Sequence, residues 1–294
     1  MGRRARSDRG SKIVLDSVSR LHWRGRAEDT WRDSRKDRKC FLAEVSRLVV
    51  LSRVQIFSSG EVALKLNMSD SSDRKGFREP HFEVLTEFEG QVGRDSLGLI
   101  SNHTWNGDPK KLGITLARYK FVAKMFEGFR EVLEVGCGDA FATRVVQQAV
   151  GRVTVSDVDP IFIEDAKNRM NPLWKMDVIE HDMTKAPLAN IFDGVFALDV
   201  FEHIPPADED RFLVNIVKTL SPRGVAILGI PSLESQVHAH PANKVGHVNC
   251  KTGQDFRSTL QRHFPQVFVF SMNDEVIHTG YFAMAHYLMA VCCK

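Results

Sequence analysis

Cysteine is scarce in this sequence: five residues in 294, Cys40, Cys137, Cys250, Cys292 and Cys293, an odd number with no C-x-x-C pair among them. That composition excludes a disulfide framework and a zinc ribbon and points to a reducing, cytoplasmic setting. Long apolar runs are missing too. The most apolar early stretch, residues 41–57, is broken by Glu44, Arg47 and Arg53 and cannot span a bilayer. The N-terminus also lacks the basic patch and clean apolar run of a secretory signal, so no membrane insertion is expected. Glycine and proline, 20 and 11 residues, are too few for a collagen-like or low-complexity chain, and no internal repeat is present. The rest, 43% hydrophobic and 26% charged residues, suits one large or two modest domains with a full core.

The formal net charge of +3 hides an asymmetry. Residues 1–67 hold 16 Lys/Arg and 8 Asp/Glu, a net of +8, which leaves 24 and 29, a net of −5, for residues 68–294. The first forty or so residues carry too few large apolar groups to offset their own ordering entropy, so 1–67 reads as a basic, flexible N-terminal extension. Such a leader would suit RNA or an acidic surface, or an organellar transit segment, although Asp8 and Asp16 argue against the latter. The plainer reading is a leader without function, since Met68 opens a polar run like an ordinary start. Residues 68–111 read as a lid or linker, and residues 112–294 as the folded domain.

From residue 112 the pattern is regular. Leu112, Leu116, Tyr119, Val122 and Phe126 share one helical face. Short apolar strands then alternate with helices: 132–135, 153–157, around Val178, 192–200 and 225–230, with helices near 145–150, from Pro160, over 208–220 and after Thr252. Two last strands, near 267–271 and 283–292, flank a polar turn at 272–280. This alternation predicts an α/β, doubly wound, mostly parallel sheet with helices on both faces.

The first strand runs into a glycine turn, Glu134-Val-Gly136-Cys-Gly138-Asp139-Ala140, and then a helix, the arrangement that brings backbone N–H groups to a nucleotide. A dinucleotide fingerprint needs a small residue three beyond the second glycine, but Phe141 stands there, which disfavours NAD and FAD. No Gly-Lys-Ser/Thr follows, so a Walker A loop is excluded as well. The stretch VLEVGCGDA resembles motif I of the class I S-adenosylmethionine-dependent methyltransferases, acidic-x-G-x-G-x-G, with Ala140 in place of the third glycine. Asp157 ends the next strand 21 residues beyond Gly136, HDM follows at 181–183, and 192–206 and 220–232 resemble the family's fourth and fifth strand motifs.

The resemblance implies a seven-stranded sheet of order 3-2-1-4-5-7-6 with the last strand antiparallel, and S-adenosylmethionine as cofactor. Glu134, Gly136 and Gly138 would cradle its methionine half. Asp157, with Val158 beside it, would take the ribose hydroxyls, while Asp159 caps the next helix ahead of Pro160. Asp182 would accept the adenine amine and the Met183 backbone would meet the ring, although Asp182 by itself reads as a turn residue.

Asp199, Glu202 and His203 lie where the fourth strand runs out, and His247 follows the fifth. Their D-x-x-E-H spacing is similar to the E-x-x-E-H of metal-assisted members, among them ubiquinone-pathway O-methyltransferases and small-RNA 2′-O-methyltransferases. Two carboxylates with one or two imidazoles suit Mg²⁺, Mn²⁺ or Fe²⁺ better than structural zinc. Without a metal, the same four residues would position the acceptor, with His203 or His247 as general base, or would simply order the loop. Arg118 reads as a solvated helix residue able to clamp an anionic substrate, and Tyr119 as core. The resulting expectation is methyl transfer to a small-molecule or glycan-like acceptor, at oxygen. The alternatives are RNA or protein methylation, or a non-catalytic cofactor-binding module.

Overall fold

The computed structural model describes residues 76–294. The expectations for residues 1–67, and for Cys40 and Met68, lie outside that range. Three helices open the described chain: α1 (Glu83–Val92), α2 (Leu99–Gly107) and α3 (Pro109–Met125). Helix α3 starts at Pro109 rather than Leu112, because a proline at the first helical position gives up an N–H that has no partner there anyway. Next come β1 (Glu131–Val135), α4 (Thr143–Gln147), β2 (Arg152–Asp157), α5 (Pro160–Asn168), β3 (Asp177–Glu180) and β4 (Phe192–Leu198). A 3-10 turn over Phe201–His203 leads to α6 (Glu209–Thr219) and β5 (Leu220–Pro231). The chain closes with α7 (Pro241–Gly246), α8 (Gly253–Gln261), β6 (Gln266–Asn273), β7 (Val276–His278) and β8 (Tyr287–Cys293).

The sheet has eight strands in the order β3-β2-β1-β4-β5-β8-β6-β7. The five strands β3, β2, β1, β4 and β5 are parallel, and β8 returns antiparallel to β5. Count and order both differ slightly from the expected seven strands in the order 3-2-1-4-5-7-6: the last strand is inserted beside the fifth as expected, but β7 adds an eighth strand beyond β6. Inside the supposed polar turn, Val276–His278 pairs back on β6, with Asn273 opposite Val276 and Asp274–Glu275 as a two-residue loop. Asp274 takes the left-handed conformation (φ 49°) that such tight hairpins need. Three residues are too short to show a period in sequence.

Alternation along the strands divides the core between two faces. Val195 and Ala197 of β4, Ala226, Leu228 and Ile230 of β5, and Leu288 and Ala290 of β8 pack with Phe212 and Ile216 of α6 and Phe256 and Leu260 of α8. Phe196, Leu198, Ile227, Tyr287 and Met289 point the other way, against Tyr119, Val122 and Phe126 of α3. Helix starts follow their capping residues: the Asp159 carboxylate accepts from Ile161 N–H, and Thr252 Oγ1 accepts from Asp255 N–H. The consequence for function is that β1, β2, β4 and β5 all deliver their C-terminal ends to one edge. Among the described residues no helix is long and apolar enough to cross a membrane.

Candidate active site

At that edge the glycine turn leaves β1. Gly136 and Gly138 have φ of 72° and 51°, the left-handed region, and Ala140 is held at 51°. Ala140 thus stands in a conformation that suits the glycine it replaces, at a cost of about 1–2 kcal/mol. The N–H groups of Gly136 and Cys137 both donate to Ser156 O, which staples the turn to β2. Helix α2 lies over the turn: Ser101 N–H donates to Asp139 Oδ2 at 2.7 Å, and a Cβ at Gly138 would lie 2.7 Å from Ile100 Cδ1.

Glu134 is buried beneath the turn. Its Oε1 accepts from Tyr119 OH at 2.6 Å and its Oε2 from Thr143 Oγ1 at 2.5 Å, so one carboxyl joins α3, β1 and α4. Burial pushes this carboxyl up to about 8, against the hydrogen bonds from Thr143 and Tyr119 that favour its ionised form. In the unfolded chain it ionises near about 4.3. Between those values the unfolded chain gives up a proton that the folded chain keeps, so stability falls as pH rises through the window and levels off above it. Glu134→Gln is expected to flatten that fall, read as urea midpoints at intervals between about pH 5 and pH 8. Midpoints that track the parent protein would place the cause elsewhere.

On the β2 side, the nearly buried Asp157 carboxylate accepts from Gly138 N–H (2.8 Å) and Asp159 N–H (2.9 Å). Val158 beside it is exposed. Asp182 sits in a turn, its Oδ1 accepting from both Thr184 N–H (2.9 Å) and Thr184 Oγ1 (2.5 Å), with Lys185 Nζ 3.0 Å from Oδ2. Burial works against its charge, but these donors outweigh it and hold the carboxyl below its usual range. Met183 is a core side chain whose carbonyl accepts from Asn215 Nδ2.

Beyond β4 the four residues singled out by spacing separate into three and one. One ligand atom each from Glu202, His203 and His247 lies within 4.8 Å of the others. Glu202 is fully buried and neither carboxyl oxygen has a hydrogen-bond partner. Burial, then the Asp199 charge, drives it well above the usual carboxylate range. His203 Nδ1 is 2.9 Å from Gly246 O, and His247 Nδ1 is 2.8 Å from Gln236 Oε1. Gln236 Nε2 donates to Ser232 O, which leaves Oε1 as the acceptor. Both imidazoles therefore donate from Nδ1, which leaves Nε2 as the ring nitrogen not engaged in these contacts. Burial and the neighbouring His203 keep His247 below its ordinary value.

Asp199 does not join them. Its Oδ2 is 2.6 Å from Arg118 Nη1, and its N–H donates to Gly229 O and to the Tyr287 hydroxyl. Arg118 is not the solvated residue its helix position suggested: its side chain is 13% exposed and its guanidinium lies 3.6 Å from the centre of the Tyr287 ring. Burial opposes the Arg118 charge, but Asp199 outweighs it and raises the guanidinium above its usual value.

A cavity of about 720 Å³ opens onto this cluster. Asp199, Glu202, His203 and His247 line it, with Ile100 and Thr104 of α2, Lys111 and Thr115 of α3, and Gln236 and His238 beyond β5. The segment 232–246 carries no motif, yet it supplies one wall and both supports of the imidazoles. Gln236 was missed because nothing in that segment marks it, and the pairing of Arg118 with Asp199, 81 residues away, is set by tertiary packing alone.

A family model described as a methyltransferase domain matches residues 132–224. The mitochondrial ubiquinone biosynthesis O-methyltransferase of Schizosaccharomyces pombe is 25% identical over 135 residues, 42% of this chain and 48% of that protein. A malonyl-[acyl-carrier protein] O-methyltransferase of Calditerrivibrio nitroreducens is 24% identical over 136 residues, 46% of this chain and 52% of that protein. The chain thus spans about half the length of the curated relatives it matches. Among solved structures, the DhpI–SAM–HEP complex shares the fold with a TM-score of 0.50 at 15% identity, over 75% of this chain and 100% of that one. Four motifs in order, a glycine turn at the switch point of a doubly wound sheet, and a methyltransferase-domain model matching residues 132–224 converge on one conclusion: the chain is similar to the class I S-adenosylmethionine-dependent methyltransferases.

Proposed function

We propose that this chain transfers the methyl group of S-adenosylmethionine to an oxygen of a small-molecule acceptor held in the 720 Å³ cavity, with a divalent cation at Glu202, His203 and His247. The observation that carries the reading is the Glu202 carboxyl, fully buried with two unpartnered oxygens beside two imidazoles each anchored through Nδ1. Leaving a buried polar group unpaired costs about 1–3 kcal/mol, and a cation is the partner this donor set fits. When bound, such an ion would lower the pKa of an acceptor hydroxyl. The two relatives named as O-methyltransferases support oxygen as the accepting atom.

The protein's own part is placement. Gly136 and Gly138, both in the left-handed region, would let backbone approach the cofactor, and Asp157, which accepts from Gly138 N–H, would take the ribose hydroxyls. In the displacement the acceptor hydroxyl gives its proton to solvent and its oxygen bonds to the methyl carbon as the carbon–sulfur bond breaks, leaving S-adenosylhomocysteine as a neutral thioether. That step needs alignment more than covalent help, and alignment of bound reactants contributes up to about 7–11 kcal/mol. Ile100, Ile114 and Pro231 supply the apolar part of the cavity wall.

The test is transfer of labelled methyl from S-adenosylmethionine into extract separated into small molecules, lipids, RNA and protein. Label is expected in the small-molecule fraction, lost on exhaustive chelation and restored by a divalent ion. Label confined to RNA or protein would overturn the acceptor class, and label indifferent to chelation would remove the cation.

A further inference from the structure

The D-x-x-E-H spacing offers two carboxylates, but the folded chain delivers one carboxylate and two imidazoles. We propose that the ion held by Glu202, His203 and His247 is a first-row transition ion of the Mn²⁺-to-Zn²⁺ series in preference to Mg²⁺, and that Arg118 sets this preference by holding Asp199 away from the three ligands. The inference rests on the reading above that these residues bind a cation.

Asp199 is restrained in two ways. Its carboxylate is paired at 2.6 Å with an Arg118 side chain wedged against the Tyr287 ring. Its backbone, at φ 56°, is fixed by the N–H contacts to Gly229 O and Tyr287 OH. Aspartate is also one carbon shorter than glutamate, about 1.5 Å of lost reach. Joining Glu202 would strand a buried guanidinium whose Nε already has no hydrogen-bond partner. Breaking such a pair is strongly unfavourable.

The remaining donor set decides which ion fits. Mg²⁺ takes oxygen ligands, keeps several waters and gains little from imidazole. Two imidazoles with one carboxylate form the set found in catalytic zinc and ferrous sites, with positions left open for substrate. Here both rings are pre-aligned, His203 by Gly246 O and His247 by Gln236 Oε1, as metal-bound histidines are oriented from outside the ligand set.

The experiment uses the full chain, stripped with chelator and titrated calorimetrically with MnCl₂, CoCl₂ and MgCl₂, with Co²⁺ binding followed in parallel by its visible absorption. Affinity is expected to rise from Mg²⁺ through Mn²⁺ to Co²⁺, with Co²⁺ at least about a hundredfold tighter than Mg²⁺. Glu202→Gln and His247→Ala should each weaken Co²⁺ by at least about tenfold. Asp199→Asn, which keeps a side chain that tolerates φ 56°, should change Co²⁺ affinity by less than about threefold. Arg118→Met should free Asp199, tightening Mg²⁺ and lowering the Co²⁺/Mg²⁺ ratio by about tenfold. Should that variant fail to fold, Asp199→Asn still decides: a tenfold or greater loss of Co²⁺ affinity, on the order of a lost ligand, puts Asp199 among the ligands and overturns the proposal. Mg²⁺ bound as tightly as Co²⁺ by the parent protein overturns it too, while leaving the cation reading intact. No binding of any ion defeats both.

Discussion

His247→Ala is expected to lower the methyl-transfer rate by about a hundredfold or more while leaving affinity for S-adenosylmethionine within about twofold. The two readouts separate because His247 sits away from the glycine turn. Its Nδ1 is tied to Gln236, its ring lies beside Glu202 and His203, and the turn is held by Ser156 and Asp157 instead. Gln236→Leu should reproduce a weaker form of the same effect, about tenfold, since loss of a residue that orients a ligand costs about 10–100-fold. Single-turnover rates at saturating cofactor, with affinity measured separately by calorimetry, check both. A parallel fall in rate and cofactor affinity would mean that the 232–247 segment supports the fold rather than the chemistry. A rate unchanged in His247→Ala would remove this imidazole from the reaction altogether.

These assignments draw on two kinds of information that differ in how local they are. The strands were legible because Val195–Leu198 and Ile227–Ile230 are short apolar runs bounded by turn residues, and burial on both faces leaves that mark in one dimension. Caps were legible for the same reason: Asp159 and Thr252 bond to N–H groups two and three residues away. Glu202 and His203 are neighbours in sequence, so their joint presence at the end of β4 could be read directly. Asp199 shows where that reading stops. Its spacing from Glu202 suggested a shared ligand set, but its partner Arg118 lies 81 residues away on α3, and only tertiary packing brings the two together. Glu134 is similar: its place in the motif was legible, but that Tyr119 and Thr143 donate to its two oxygens from two different helices was not. A sequence pattern identifies which residue types share an edge of the sheet, and the long-range pairings then decide which of them are free to act.

Gly136→Ala tests the joint on which both halves of the site depend, and it is expected to destabilise the protein by about 2–5 kcal/mol. Two costs add. The backbone at φ 72° forces a side chain into the left-handed region, about 1–2 kcal/mol. The new Cβ would also overlap Val200 Cγ2, and inserting a methyl where no space exists costs about 1–3 kcal/mol. Val200→Ala in the same chain should recover the second cost and leave the first, a coupling of about 0.5–3 kcal/mol in a double-mutant cycle measured by urea denaturation. Purely additive variants would show that the contact is not the cause. Val200 lies between Asp199 and the Phe201–His203 turn, so pushing it outward displaces the Glu202 carboxyl at the same time as it distorts the cofactor turn. Gly136→Ala is therefore expected to weaken both S-adenosylmethionine and Co²⁺ binding, and Val200→Ala to restore Co²⁺ binding more fully, because the φ cost stays in the turn while the overlap alone reaches the metal ligands.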